Sequence, residues 1–224
     1  MKYTRLSFYF LVILLLSGMQ IQKPVKVIFF GDSITQAGVN PGGYITLMQE
    51  AIKQNSGGVK FELIGAGIGG NKVYDLFLRF EEDVLSKKPD VVVIYVGVND
   101  VWHKQSSQTG TDPEKFVAFY TAIIKKLQAN KIKVIVCTPA AIGERTDFSN
   151  AQDGDLNRYS QIIRDLAVQY KCDLVDLRKA FLDYNLKNNP GNKESGILTT
   201  DRVHLNSKGN QLVADLIQEA MNTK

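Results

Sequence analysis

Two short polar segments of the 224-residue chain carry side chains that could together perform nucleophilic chemistry. Ser33 stands in the segment Phe29-Phe30-Gly31-Asp32-Ser33-Ile34-Thr35, and near the end of the chain Asp201 precedes His204 by three positions. A serine hydroxyl is a weak nucleophile and needs a base, which in turn needs a group to orient it. A carboxylate three residues before a histidine on a tight turn can accept the Nδ1 proton, which leaves Nε2 free to take a proton from serine. We therefore predict Ser33 as nucleophile, His204 as base and Asp201 as its orienting acid.

Such a reaction also needs donors for an oxyanion. Asn99 follows a third apolar run and offers a side-chain amide at what should be the same edge of a sheet. The segment Gly65-Ala66-Gly67-Ile68-Gly69-Gly70-Asn71 could contribute an exposed backbone N–H, with no side chain to obstruct a substrate. We predict an oxyanion hole formed by the N–H of Ser33, a glycine N–H of this segment and the Asn99 amide.

The glycine segment has an alternative interpretation, because it formally matches the G-x-G-x-x-G pattern of dinucleotide sites. That pattern normally occupies the first turn between strand and helix, where this chain has Gly31-Asp32-Ser33 instead. The context therefore favours the oxyanion role, and a nicotinamide enzyme remains the alternative by motif.

Asp32, Trp102 and His103 lie beside these segments and are candidate substrate contacts. The chain has only two histidines, and it contains neither H-E-x-x-H nor C-x-x-C. These observations predict no catalytic metal and no cofactor.

Strand and helix patterns alternate along the chain. Near-continuous apolar runs predict five strands, at Val25 to Phe30, Lys60 to Ile64, Val91 to Val96, Ile132 to Cys137 and Asp173 to Leu177. Helical periods follow them, beginning near residues 44, 73, 112, 156 and 207. Five strands alternating with five helices predict an α/β fold with a doubly wound parallel five-stranded sheet, which places Ser33 at the carboxyl end of the first strand.

Three polar stretches are longer than simple connections need to be, at Trp102 to Thr111, Ala141 to Asp155 and Asp183 to Thr200. We predict loops there. The first two follow the third and fourth strands, so they should overhang the same sheet edge as Ser33.

Residues 1 to 22 read as a signal peptide with an uncertain cleavage site, because Lys2 and Arg5 precede a short apolar run. An uncleaved membrane anchor is the alternative. The net charge is +4, or +2 once those two basic residues are removed, and no basic stripe indicates a nucleic-acid partner. Residues 23 to 224 then form one domain in an exported protein, periplasmic or secreted. Cys137 and Cys172 should lie about a strand length apart, too far for a disulfide, so we predict two buried thiols.

With these residues in view, the chain resembles the SGNH hydrolases, the GDSL family of esterases and lipases. The resemblance rests on four segments in order: Gly31-Asp32-Ser33-Ile34, Gly67-Ile68-Gly69-Gly70, Gly97-Val98-Asn99-Asp100 and Asp201-Arg202-Val203-His204. It implies a flavodoxin-like three-layer α/β/α fold, ester hydrolysis without a metal, and Gly70 as the oxyanion glycine. One departure is Gly65, where members of the family often have asparagine.

The predicted function is an exported serine esterase that forms an acyl-enzyme. A carbohydrate O-acetylesterase or small acyl-ester hydrolase is favoured, because the long loops are polar with scattered aromatic residues and no apolar lid is evident. The alternatives are a lysophospholipase or thioesterase and, more remotely, the dinucleotide enzyme or a binding module without catalysis. The oligomeric state is not predicted.

Overall fold

The computed structural model describes residues 23–54 and 59–222, so the predicted signal peptide lies outside the described residues. Within them the strands are β1 (Val25–Gly31), β2 (Phe61–Gly67), β3 (Val91–Tyr95), β4 (Lys133–Cys137) and β5 (Asp173–Val175). The helices are α1 (Ser33–Gly38), α2 (Tyr44–Gln54), α3 (Val73–Leu78), α4 (Phe80–Asp83), α5 (Val98–Ser106), α6 (Pro113–Ala129), α7 (Asp153–Tyr170), α8 (Leu177–Asn188) and α9 (Ser207–Asn222). No helix in this part of the chain is long and apolar enough to cross a bilayer.

All five strands are parallel and lie in the order β2-β1-β3-β4-β5. Since crossovers between parallel strands are right-handed, the reversal of direction after β2 places helices on both faces. On one face α2 packs against α9, and on the other α3 packs against α6, which also contacts α7. The predicted doubly wound α/β fold is confirmed. Sheets of this order bind ligands where the strand order reverses, between the carboxyl ends of β1 and β3.

The core is formed by the apolar strands and the helix faces that cover them. Every residue of β3 is buried, as expected for a central strand covered on both sides. The long helix α6 buries five side chains at helical spacing, namely Phe116, Tyr120, Ile123, Ile124 and Leu127. Its start also follows the sequence, because Asp112 occupies the N-cap and Pro113 the first helical position. The packing of these helices on the strands fixes the position of the sheet edge at which the polar segments meet.

Each of the three predicted loops overlaps a helix. Residues 102–106 continue helix α5, residues 153–155 begin α7, and residues 183–188 form the last part of α8. Polar composition suggested loops there, but most of these residues lie on partly or fully exposed parts of their helices, and a solvated helix face is as polar as a loop. The predicted fifth strand was also too long. It ends at Val175 because the Asp176 carboxyl accepts the N–H of Lys179 at 3.2 Å and caps α8.

Both cysteines are free, as the separation of their strand ends predicted. Cys137 is fully buried at the end of β4. Cys172 precedes β5 and is only partly buried, so the prediction of two buried thiols was wrong for this residue. The cause is its place at the amino end of the short edge strand β5, which has β4 as its only strand neighbour in the described sheet.

Candidate active site

Ser33 is the first residue of α1 and stands directly beyond the end of β1. Asp32 is the N-cap of that helix, and its carboxyl oxygen accepts the N–H of Ile34 at 3.0 Å. The Asp32 carbonyl accepts the N–H of Gln36 at 2.9 Å. Because aspartate is a favoured N-cap, the Gly-Asp-Ser segment itself ends the strand and begins the helix. The Ser33 hydroxyl is thereby placed at the sheet edge.

A short hairpin brings Asp201 and His204 to the same edge. An antiparallel bridge between Thr199 and Leu205 joins its two arms. At its tip, Asp201 Oδ1 accepts the N–H groups of Val203 at 3.1 Å and His204 at 2.8 Å. Asp201 Oδ2 lies 2.7 Å from Nδ1 of His204. Asp201 therefore binds both the backbone and the ring of the histidine three residues later, and these contacts fix the orientation of the imidazole ring.

The other ring nitrogen of His204, Nε2, lies 2.9 Å from Ser33 Oγ, across 171 positions of sequence. A continuous chain of hydrogen-bonding groups thus runs from Asp201 through His204 to Ser33. Burial alone would raise the pKa of Asp201, but hydrogen bonds from the His204 ring and from two backbone N–H groups hold that pKa below its usual value. A carboxylate that stays ionised suits a group that accepts the Nδ1 proton and stabilises an imidazolium.

The glycine segment and Asn99 lie next to each other beside this chain. Gly70 has a φ of 77°, a left-handed conformation that favours glycine. A Cβ built on Gly69 would lie 4.0 Å from the Ser33 Cβ, which places the segment against the nucleophile. Asn99 lies in the first turn of α5, and its Nδ2 donates to the carbonyl of Asn71 at 3.1 Å. This hydrogen bond joins the third strand–helix turn to the segment that follows β2.

The glycine pattern also serves close packing. A Cβ on Gly67 would overlap the backbone of Asp32, Thr35 and Gln36, so only glycine allows β2 to approach α1 this closely. Gln36 contributes in return, because its Oε1 accepts the N–H of Gly69 at 2.8 Å. The spacing that matched a dinucleotide motif therefore supports the turn that carries the serine.

Two buried carboxyl groups lie beneath the site. Burial raises the pKa of Asp32 to about 7, against the opposing hydrogen bond from the Ile34 N–H, and nearby Asp100 raises it further. Burial likewise raises the pKa of Asp100 to about 6, although its carboxyl accepts the N–H of Val73 at 3.2 and 3.3 Å. Asp32 is 1% exposed. Its side chain points into the protein as a helix cap, which corrects the expectation that it contacts a substrate.

Trp102 and His103 lie in helix α5, and both face the site. The Trp102 ring lies edge-on to His204, with 6.4 Å between ring centroids. His103 Cε1 would be 3.9 Å from a Cβ built on Gly70. Burial and then the charge of Lys72 lower the pKa of His103. Two ring side chains therefore border the base on one side and the glycine segment on the other.

Arg79, which no sequence pattern indicated, joins two of these segments, the serine segment and the glycine segment. Its Nη2 donates to the carbonyls of Gly31 at 2.8 Å and Ala66 at 3.0 Å, and its Nε donates to Asn71 Oδ1 at 2.7 Å. Two of these partners are backbone carbonyls, which no residue pattern reveals. Arg79 therefore fixes the ends of β1 and β2 and the asparagine that receives the Asn99 hydrogen bond.

Comparison with known proteins identifies the family of the chain. Residues 29–212 match a family model described as the GDSL-like Lipase/Acylhydrolase family. The chain is similar to the solved structure of the acetyl xylan esterase AlAXEase, with 68% identity, coverage of 88% of this chain and 99% of that one, and a TM-score of 0.86. It is 29% identical over 217 residues to an acetylxylan esterase of Geobacillus stearothermophilus, covering 88% of this chain and 93% of that protein. It is also 25% identical to the uncharacterized lipoprotein YqeF of Bacillus subtilis, covering 94% and 95% of the two chains.

Proposed function

The chain belongs to the GDSL-like lipase/acylhydrolase family and is a carboxylic ester hydrolase, and from this premise we propose that it removes acetyl groups from carbohydrate through an acyl-enzyme on Ser33. The observation that carries the mechanism is the chain from Asp201 through His204 to Ser33, with distances of 2.7 and 2.9 Å. The similarity to AlAXEase over 88% of this chain supports the substrate class.

In the first half of the proposed reaction, Ser33 Oγ attacks the ester carbonyl while His204 Nε2 takes its proton. Asp201 keeps the imidazole in the tautomer that leaves Nε2 free and stabilises the cation that forms. The tetrahedral intermediate then collapses, the bond to the sugar oxygen breaks, and His204 returns the proton to that oxygen. The sugar hydroxyl leaves, and an acetyl ester remains on Ser33.

The second half repeats these steps with water. His204 removes a proton from water as the water oxygen attacks the acetyl carbonyl. The bond to Ser33 Oγ then breaks, acetate leaves, and His204 returns the proton to Ser33. In both halves the negative oxygen is held by the N–H groups of Ser33 and Gly70 and by the Asn99 amide. Asn99 uses one amide hydrogen on the Asn71 carbonyl at 3.1 Å, and its second amide hydrogen is the one offered to the oxyanion.

The surroundings of the catalytic groups support a substrate whose alcohol part is a sugar. Trp102 borders His204, and His103 approaches Gly70, so rings border both the base and the oxyanion donor. Aromatic rings beside a polar site suit the apolar faces of sugar rings. We propose Trp102 and His103 as the residues that contact the alcohol part of the substrate.

We also propose that the protein is exported and that residues 23–224 form its single hydrolase domain. The basic and apolar pattern of residues 1–22 supports export, as does the similarity to YqeF, which is a lipoprotein. No cysteine lies in that leader to receive a lipid. Amino-terminal sequencing of the protein from the cytoplasmic and exported fractions of a culture tests this proposal. Protein that begins at Met1 and is found in the cytoplasmic fraction alone would contradict it.

The substrate proposal is tested by release of acetate from acetylated xylooligosaccharide, beside a series of nitrophenyl esters from acetyl to dodecanoyl and a lysophospholipid. We expect kcat/KM to be highest for acetyl groups and to fall steeply with longer chains. A matched Trp102→Leu variant should lose activity on the oligosaccharide more than on nitrophenyl acetate. Preference for the dodecanoyl ester or the lysophospholipid would favour a lipid acyl hydrolase instead.

A further inference from the structure

Glu144, in the loop between β4 and α7, is a buried acid outside the groups described above. It is 1% exposed, and its Oε1 accepts the N–H groups of Leu198 at 2.6 Å and Thr199 at 2.8 Å. Its Oε2 accepts the N–H of Ile197 at 2.8 Å. One side chain therefore binds three consecutive backbone N–H groups more than 50 positions further along the chain.

These three residues form the first arm of the hairpin whose second arm contains His204. Thr199 and Leu205 form the antiparallel bridge, and the N–H of Thr200 donates to the His204 carbonyl at 2.8 Å. The N–H of Asn206 donates to the Leu198 carbonyl at 2.9 Å. The Glu144 side chain thus binds the backbone of the first arm, and the backbone of that arm is hydrogen-bonded to the backbone of His204.

The backbone of the same loop reinforces this attachment at both ends of the hairpin. The N–H of Gly143 donates to the carbonyl of Arg202, at the tip, at 2.9 Å. The N–H of Glu144 donates to the carbonyl of Glu194, ahead of the first arm, at 3.0 Å. The hairpin is therefore attached to the loop after β4, and through that strand to the sheet that carries Ser33.

We propose that Glu144 is a positioning residue that sets the distance between His204 and Ser33 by holding the base of this hairpin. The proposal rests on the proposed function, in which His204 is the base. It assigns Glu144 a role different from that of Asp201. The hydrogen bonds of Asp201 lie within the tip and would travel with it, whereas those of Glu144 join the whole hairpin to the rest of the protein.

A carboxylate suits this role, because it accepts several hydrogen bonds and offers no donor to compete with them. Glutamine at position 144 has nearly the same size, but an NH2 group replaces one of the two oxygens. That group cannot accept a hydrogen bond from the backbone N–H that it faces. Leaving buried N–H groups unpaired is costly, so the arm should shift to find other partners. A shift of about 1 Å at catalytic groups can cost on the order of 10²-fold in rate.

The test measures the reactivity of Ser33 directly, with a fluorescent alkyl phosphonofluoridate. Ser33 Oγ attacks phosphorus, fluoride leaves as the new P–O bond forms, and His204 accepts the hydroxyl proton. We expect Glu144→Gln to be labelled 10- to 100-fold more slowly than the wild type at a temperature well below its melting transition. Its KM for nitrophenyl acetate should change little while kcat falls in parallel with labelling.

Asp90→Asn, at an exposed acid that also accepts a backbone N–H, is the control. The Asp90 carboxyl accepts the backbone N–H of Lys26 at 2.7 Å beside the start of β3, so the same change from acid to amide is made at the opposite edge of the sheet. We expect this control to be labelled at the wild-type rate. Folded Glu144→Gln labelled at the wild-type rate would overturn the positioning role and leave only a structural one.

Two further outcomes are also decisive. If Glu144→Gln does not fold, Glu144→Asp replaces it. The aspartate side chain is one methylene shorter, so the first arm must shift to keep its hydrogen bonds to the carboxylate. The same comparison of labelling rates then applies. If the wild type is labelled no faster than Ser33→Ala, the proposed function itself fails, and the role of Glu144 fails with it. If the wild type is labelled much faster than Ser33→Ala, and the Glu144 variant is labelled as fast as the wild type, only the positioning role of Glu144 is refuted.

Discussion

Replacing Asp32 by asparagine should remove a large pH dependence of stability that this buried carboxyl imposes on the protein. Asp32 is 1% exposed, and burial raises its pKa to about 7. The charge of Asp100 raises the pKa further, whereas the Ile34 N–H and the charge of His204 oppose the shift. Asparagine is also a good N-cap, so the variant keeps an acceptor for the Ile34 N–H.

The sign and size follow from proton linkage. In the unfolded chain the carboxyl has a pKa of about 3.9, so between pH 4 and pH 7 the folded protein holds a proton that the unfolded chain has lost. The contribution of Asp32 to stability is therefore fully present below about pH 4 and is lost as pH rises through 7. Each pH unit in that interval costs about 1.4 kcal/mol, so the two units from pH 5 to pH 7 correspond to about 2 to 3 kcal/mol.

The assay is denaturant unfolding of the wild type and Asp32→Asn at pH 5 and pH 8. Relative to the wild type, the variant should gain about 2 to 3 kcal/mol in the free energy of unfolding on going from pH 5 to pH 8. Asp165→Asn, the same change at an exposed position of α7, serves as the control and should show no such gain. An equal stability difference at both pH values for Asp32→Asn would refute the argument.

Three further predictions concern the catalytic groups. Asp201→Asn should keep its fold but lose about 10²- to 10⁴-fold in turnover of nitrophenyl acetate, because an amide opposite Nδ1 favours the wrong histidine tautomer; a loss under tenfold would contradict this role. Asn99→Ala should lower kcat by about 10²- to 10³-fold with little change in KM, and near-normal kcat would remove Asn99 from the oxyanion hole. Gly70→Ala has room for its methyl group but must hold a φ of 77°, so we expect about 1 to 2 kcal/mol of lost stability by denaturant unfolding. An unchanged midpoint would show that the turn adapts without strain.

Much of the fold could be predicted because its signals are local. Apolar runs gave the positions of the five strands along the chain, and the right-handed crossover rule then required helices on both faces. The four segments that suggested the family each contain their own turn chemistry, such as the Asp32 cap and the closed tip at Asp201. The family prediction is confirmed, while the roles of Ser33, Gly70 and Asn99 remain proposals.

The remaining features depend on contacts between distant backbones. Arg79 and Glu144 bind carbonyl or N–H groups of other segments, and these partners have no side-chain signature. Asp32 illustrates a different difficulty, because neighbouring residues in a turn point in different directions. Its position next to Ser33 suggested a substrate contact, but the turn directs its side chain inward.

The role of Ser33 is tested most directly by the turnover of nitrophenyl acetate by the wild type and by a folded Ser33→Ala variant at equal concentration. We expect the wild type to form acetate catalytically and the variant to lose on the order of 10³-fold or more in turnover. Intact-mass measurement of quenched wild-type protein should show an acetyl group that maps to Ser33. A variant as active as the wild type would move the chemistry to another residue and contradict the central claim.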